Sequence, residues 1–264
     1  MAPSTVNGVA GPERAGVPTP TWVGDLFGAP LDVIKGVAAV LMVIDHVNTV
    51  LFDGAFVAMW RLGRISYPLF AFVLACQVLR GADRSRALAT LLLAGIATQP
   101  IYAAAFDYGS REASILFTLA AGFALAEALV RTREPVRHLV LAAGIGSMLL
   151  APHWARSGVD FGLAGIVLPG ALALAIVDPL RFGPWAAATL FALNFGNWKP
   201  SAESALAGAG LDFASALSGG ALIVLLARRL TGRPRFLGRY ALHAFYPAHL
   251  LALAGLRAFA KAAG

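Results

Sequence analysis

Four ionisable side chains, Asp32, Lys35, Asp45 and His46, lie in a single apolar run of this 264-residue sequence. Charge inside an apolar span is expensive, so such residues are candidates for function before any other. Lys35 and His46 are eleven residues apart. On a helix that places them about 20° apart around the axis and roughly 16 Å apart along it, so they share a face. Asp32 is one turn before Lys35 and is placed for an i,i+3 ion pair with it. Asp45 points about 100° away from His46, so each is expected to pair with a different helix. An imidazole at its ordinary pKa takes a proton from an attacking hydroxyl or amine at neutral pH, which makes His46 a candidate general base. The alternative is a histidine bonded to a backbone carbonyl within the bundle.

A second cluster occurs in "RLGRISYPLFAF". There Arg61 and Arg64 stand at the mouth of a span, ahead of Pro68, which opens or kinks the helix. Their guanidinium groups either grip an anionic substrate or a developing oxyanion, or snorkel to the interface. Asp160, Asn194, Asn197, Trp198, Lys199 and Asp212 fall on the same side of the chain's topology. Together they suit a polar pocket opening outward, and singly they suit caps or interface anchors. The last span carries His243, Tyr246 and His249, with His249 beyond the break imposed by Pro247 and able to face the same cavity. Glu127 is expected to neutralise a neighbouring arginine. No HExxH pattern, Walker-type loop or G-x-S-x-G elbow occurs in a suitable context, and the lone Cys76 excludes an internal disulfide framework. No metal site is expected.

These groups require a scaffold within a membrane. The composition is 58% hydrophobic and 13% charged, where soluble domains carry roughly 25% charged residues. Mean hydropathy is +0.72. At about 20 residues per span, there is room for eight to ten helices and no sizeable soluble domain. Apolar stretches at 31–52, 65–80, 86–106, 113–130, 137–152, 161–178, 184–198, 207–227 and 241–259 predict nine spans in an all-α, polytopic bundle. The second, fifth and seventh are short, leaving room for a re-entrant segment. Residues 1–30 read as a flexible tail rather than a signal peptide, and 31–260 as the transmembrane domain. The net charge of +7 arises from short arginine clusters at 80–86, 131–137, 181 and 228–239. They place the N-terminus in the cytoplasm and the C-terminus outside, and they are topological signals rather than a nucleic-acid surface.

Taken in order, "LDVIKGVAAVLMVIDHV", "GRISYPLFAF", "ILFTLAAGFALAE", "VDFGLAGIVLP" and "FYPAHLL" resemble the successive motifs of the TraX family. The resemblance covers about residues 31–255 and is most specific at Asp45-His46, Gly63-Arg64 and Pro68-Leu69-Phe70. It implies a polytopic bacterial inner-membrane protein of a conjugative plasmid that N-acetylates the pilin subunit of a type IV secretion pilus. The family's relative TrbP, carried by plasmids with cyclic pilins, is also similar. The Lys35-x10-His46 spacing resembles the basic-x10-His signature of membrane O-acyltransferases, with Lys in place of the usual Arg. That second resemblance implies His46 as catalytic base and Lys35 in recognition of an acetyl-CoA donor; on the same reading Arg64 stabilises anionic charge and Asp45 orients a partner group. Arg61, Asp160, Asp212, Tyr246 and His249 then line the substrate side. The expected partners are a pilin subunit and membrane lipids, without nucleic acid. Transfer of a phospholipid-derived headgroup is the nearest alternative chemistry. A proton-linked transporter or pilus assembly factor built on Asp45, His46 and Asp212 is the alternative from another class.

Overall fold

A computed structural model describes residues 19–106, 112–150, 158–196 and 205–263. Its helices are α1 (Thr21–Asp25), α2 (Ala29–Phe52), α3 (Val57–Arg80), α4 (Arg84–Phe106), α5 (Ile115–Arg131), α6 (Glu134–Leu150), α7 (Gly162–Val177), α8 (Pro179–Gly196), α9 (Ala205–Arg228) and α10 (Ala241–Ala263). The nine predicted spans correspond to α2 through α10, in an all-α polytopic bundle. Helices α2, α3, α4 and residues 206–228 of α9 are each long and apolar enough to cross a membrane, and α7 is a shorter apolar helix.

The burial pattern is the one a lipid-facing bundle requires. Leu93 and Ile96 of α4, Leu222 and Leu225 of α9, and Leu251 and Leu256 of α10 face outward, while Asp32, His46, Arg64, Glu127, Asp212 and His249 are buried inside. At the centre is α3, which packs against α1, α2, α5, α7 and α9. Helix α10 lies outside it, against α2 and α4, and α6 covers α7 and α8.

Helix α3 begins at Val57, eight residues before the stretch predicted from hydropathy. The added turns hold Arg61 and Arg64, which are hidden from an apolar count but neutralised by Asp212 and Asp45 on neighbouring helices. The helix runs on through Pro68. Residues 19–30, read from sequence as part of a tail, include α1, whose Val23 is fully buried beside Leu26, Cys76 and Ala173. The Thr19 hydroxyl donates to the Leu79 carbonyl.

Two ends of the bundle are chemically distinct. The basic end gathers the arginines at 80–86, 131–137, 181 and 228–239. Its strap is residues 229–240, tied to the start of α2. Ala29 N–H donates to the Arg233 carbonyl at 3.1 Å, and the buried Asp32 Oδ2 accepts the N–H groups of Phe236 and Leu237, each at 3.0 Å. Gly28, at φ 151°, sits where a Cβ would come within 2.6 Å of the Arg233 carbonyl oxygen, so only glycine allows this approach. At the outer end, Asn48 closes the α2–α3 turn with reciprocal 3.0 Å bonds to the Phe56 backbone. A parallel bridge there pairs Ala113 with Val159, holding the starts of α5 and α7 side by side.

Candidate active site

Six of the nine predicted site residues divide between two cavities that share Met42 and Ile115 as walls, and Arg61, Asp212 and His249 line neither. The outer cavity, about 230 Å³, is lined by Asp45, His46, Thr49, Trp60, Arg64, Tyr102, Phe106, Glu112, Asp160 and Phe161, among others. The basic-end cavity, about 460 Å³, has Lys35, Gln77, Arg86, Arg235, Arg239 and His243 over a floor that includes Leu74, Leu116 and Leu119.

Helix α2 supplies both cavities, because Lys35 and His46 lie on one face a few turns apart. As expected from the helical angle, Asp45 and His46 have different partners. Arg64 Nη2 donates to Asp45 Oδ2 at 3.3 Å. The close approach of α2 to α3 there depends on Gly63, since a Cβ on it would lie 2.5 Å from the Asp45 side chain. The Arg64 guanidinium also stacks 3.9 Å from the Trp60 ring centroid.

His46 meets His249 of α10, with Nδ1 and Nε2 2.9 Å apart. The other ring nitrogen of His249, Nδ1, is 3.1 Å from the Phe245 carbonyl oxygen. A carbonyl can only accept, so His249 Nδ1 carries the proton. In neutral His249 the Nε2 then accepts, and His46 Nδ1–H is the donor. The lone pair of His46 is therefore on Nε2, in a ring that lines the outer cavity and meets Phe106 edge-on at 4.9 Å. This chain of two histidines and a carbonyl fixes which nitrogen is basic.

Asp160 lies in the connection ahead of α7. Burial pushes its carboxyl up to about 7, opposed by the Arg64 guanidinium and reinforced by Asp45 and Glu112. Its backbone carbonyl accepts from the Thr118 hydroxyl. Gln99 of α4 bonds the Glu112 carbonyl at 2.7 Å and the Ser114 N–H at 2.9 Å, anchoring the start of α5.

Other predicted residues stand elsewhere. Asp212 takes Trp60 Nε1–H at 3.2 Å and Arg61 Nε at 3.5 Å, so Arg61 and Asp212 form a buttress behind Trp60 outside the cavity lining. Tyr246 lines the basic-end cavity rather than the outer one. Lys35 Nζ is 3.6 Å from Asp32 Oδ1, as the i,i+3 spacing predicts, and it also lines the basic-end cavity. Glu127 pairs with Arg131. Asn194 donates to the Leu190 carbonyl within α8, while Asn197, Trp198 and Lys199 lie outside the described residues. Trp60, Glu112, Phe161, Arg235 and Arg239 were not singled out from sequence as site residues. Trp60 had a signal in its position one turn before Arg64, whereas Glu112 and Phe161 reach the cavity only through the α5–α7 bridge.

The TraX protein family model matches residues 30–257. Protein TraX of Escherichia coli is 36% identical over 155 residues, covering 57% of this chain and 59% of the relative. Protein TraX of Escherichia coli strain K12 is 34% identical over 157 residues, with the same shares. The chain thus aligns with 59% of the length of the curated relatives it matches. No solved structure matches it. With its family motifs spread over nearly all of the described bundle, the chain belongs to the TraX family.

Proposed function

We propose that this chain is a membrane-embedded transferase of the bacterial inner membrane that modifies a conjugative pilin subunit, moving an acetyl group from acetyl-CoA to an amine or hydroxyl. The observation that carries the reading is the hydrogen-bonded chain His46–His249–Phe245, which leaves the lone pair on Nε2 of a His46 ring that lines one cavity, while cations line the next. Lys35, Arg235 and Arg239 hold the donor's phosphates at the basic end, as charge-assisted bonds to phosphate require. The slender thioester arm then passes along the apolar floor toward Met42 and Ile115. The acceptor enters the outer cavity, and His46 Nε2 takes its proton as the new bond forms. Asp45 holds Arg64 in place, and Arg64 balances negative charge in the outer cavity.

A second reading, transfer of a phospholipid-derived headgroup, is favoured by the combination of cations and a long apolar wall in the basic-end cavity. Both donors present a phosphate to the same residues, so the product distinguishes them. Intact mass of the pilin subunit is measured after co-expression with and without this chain. A gain of one acetyl group that depends on the chain is expected. A gain matching a headgroup fragment selects the second reading, and an unchanged pilin overturns both in favour of a transport or assembly role.

A further inference from the structure

Around the partition between the two cavities are polar groups that the reaction above does not use. Tyr246 is 4% exposed, lines the basic-end cavity, and has its ring centroid 5.4 Å from that of His249. Its hydroxyl makes no hydrogen bond among the described residues. The fully buried Ser114 hydroxyl is its one polar neighbour, and that hydroxyl has no other partner among the described residues. Ser114 is the N-cap of α5, but its side chain does not cap the helix. Its own N–H goes to Gln99, and its carbonyl takes the Phe117 N–H at 2.9 Å. The N–H groups of Ile115 and Leu116 have no partner among the described residues, and Ile115 is one of the two residues common to both cavities. In a membrane interior, a pair of hydroxyls with no acceptor beyond each other, beside the positive end of a 17-residue helix, is costly to leave so. Such a set is suited to an oxygen that arrives with the substrate.

On the acyl-transfer reading above, we infer that Tyr246, Ser114 and the first turn of α5 form the oxyanion-binding pocket of the reaction. The location is the one the chemistry needs, because Tyr246 touches the His249 ring that fixes the base and also walls the donor cavity. As the acceptor's nitrogen or oxygen bonds to the thioester carbon, the carbonyl π pair moves onto oxygen. Tyr246 and Ser114 donate to that oxygen while His46 Nε2 takes the acceptor's proton. The C=O bond then re-forms, the C–S bond breaks, and the thiolate leaves with the proton from His46. An acyl thioester and an amine become an amide and a thiol, without oxidation or reduction. The donors are already desolvated, so they stabilise the charge with little reorganisation.

The test compares Tyr246→Phe, Ser114→Ala and His46→Ala in the full chain reconstituted in phospholipid vesicles, with acetyl-CoA and pilin as substrates. Tyr246→Phe keeps the ring and deletes a hydroxyl whose one polar neighbour is Ser114, so thermal stability should change little. Its kcat should nevertheless fall about 10²–10³-fold, with the donor KM little changed. Ser114→Ala should lower kcat in the same way by a smaller factor. If Tyr246→Phe turns over at the wild-type rate while His46→Ala is inactive, the oxyanion pocket is wrong and the transferase stands. If Tyr246→Phe lowers the melting temperature but not kcat per folded molecule, the hydroxyl is structural and the inference fails. If His46→Ala also acetylates normally, the transferase mechanism itself falls.

Discussion

The two cavities differ in how their polar groups are held. In the outer one, Asp45 is bound to Arg64, Arg64 stacks on Trp60, and His46 is tied to His249. These contacts join α2, α3 and α10, so each group's direction is set by packing. In the basic-end cavity, Lys35 and Arg235 both approach one buried carboxylate, Asp32, each at 3.6 Å, and Arg239 comes from the strap that Asp32 pins. Preorganised dipoles in a small dry space favour a transition state. Flexible cations above an apolar floor favour binding of an amphipathic anion. Changes in the first region should therefore affect turnover, and changes in the second should affect donor affinity.

The largest separation is expected at His46. His46→Ala should lower the acetylation rate by about 10²–10⁴-fold, as loss of a general base does, and no concentration of donor should restore it. His249→Ala leaves the base in place but removes the acceptor that holds its tautomer, so its rate should fall between wild type and His46→Ala. Single-turnover rates in reconstituted vesicles check both. Equal losses in the two variants would mean that the histidines act as one relay, and full activity in His249→Ala would remove the fixed-tautomer argument.

Next comes Lys35, the test of the other region. Lys35→Ala should raise the apparent donor KM roughly 10–100-fold, the size of one or two charge-assisted bonds, with kcat at saturating donor little changed. Lys35→Arg should recover part of the loss, because charge matters more than shape at a single phosphate contact. Rate against acetyl-CoA concentration separates these outcomes. An unchanged KM would make Lys35 a structural partner of Asp32 and shift donor binding to Arg235 and Arg239.

Much of this division could be read along a single helix. The eleven-residue spacing of Lys35 and His46 fixes their common face, and the adjacency of Asp45 and His46 fixes their divergence. Both follow from 3.6 residues per turn. The nine helical stretches were also legible from their apolar runs, although only α2, α3, α4 and residues 206–228 of α9 are each long and apolar enough to cross a membrane. Lateral order was not, since hydropathy does not say which helix neighbours which. Asp212 was assigned to the right end, but its neutralisation of Arg61 behind Trp60 depends on α9 packing against α3. Likewise Tyr246 and His249, three residues apart, were expected in one cavity; instead Tyr246 lines the basic-end cavity and His249 bonds His46. The early start of α3 was hidden because its arginines find their carboxylates on other helices.

The smallest effect, and the one that sharpens the picture of the outer cavity, concerns Asp160. Its carboxyl titrates near 7 because burial favours the neutral form despite Arg64 nearby. An unfolded Asp titrates near about 3.9. Between those two values the folded chain binds more protons than the unfolded chain, so this group's contribution to stability must decline as pH rises through that window and level off above about 7. Asp160→Asn cannot ionise and removes this slope. Melting temperature in detergent, measured from about pH 5 to pH 8, should fall by a few degrees more in the wild type than in Asp160→Asn. Equal slopes in the two proteins would show that Asp160 is ionised throughout and held by Arg64. The outer cavity would then hold three carboxylates against one arginine, and the charge balance assigned to Asp45 and Arg64 would have to be redrawn.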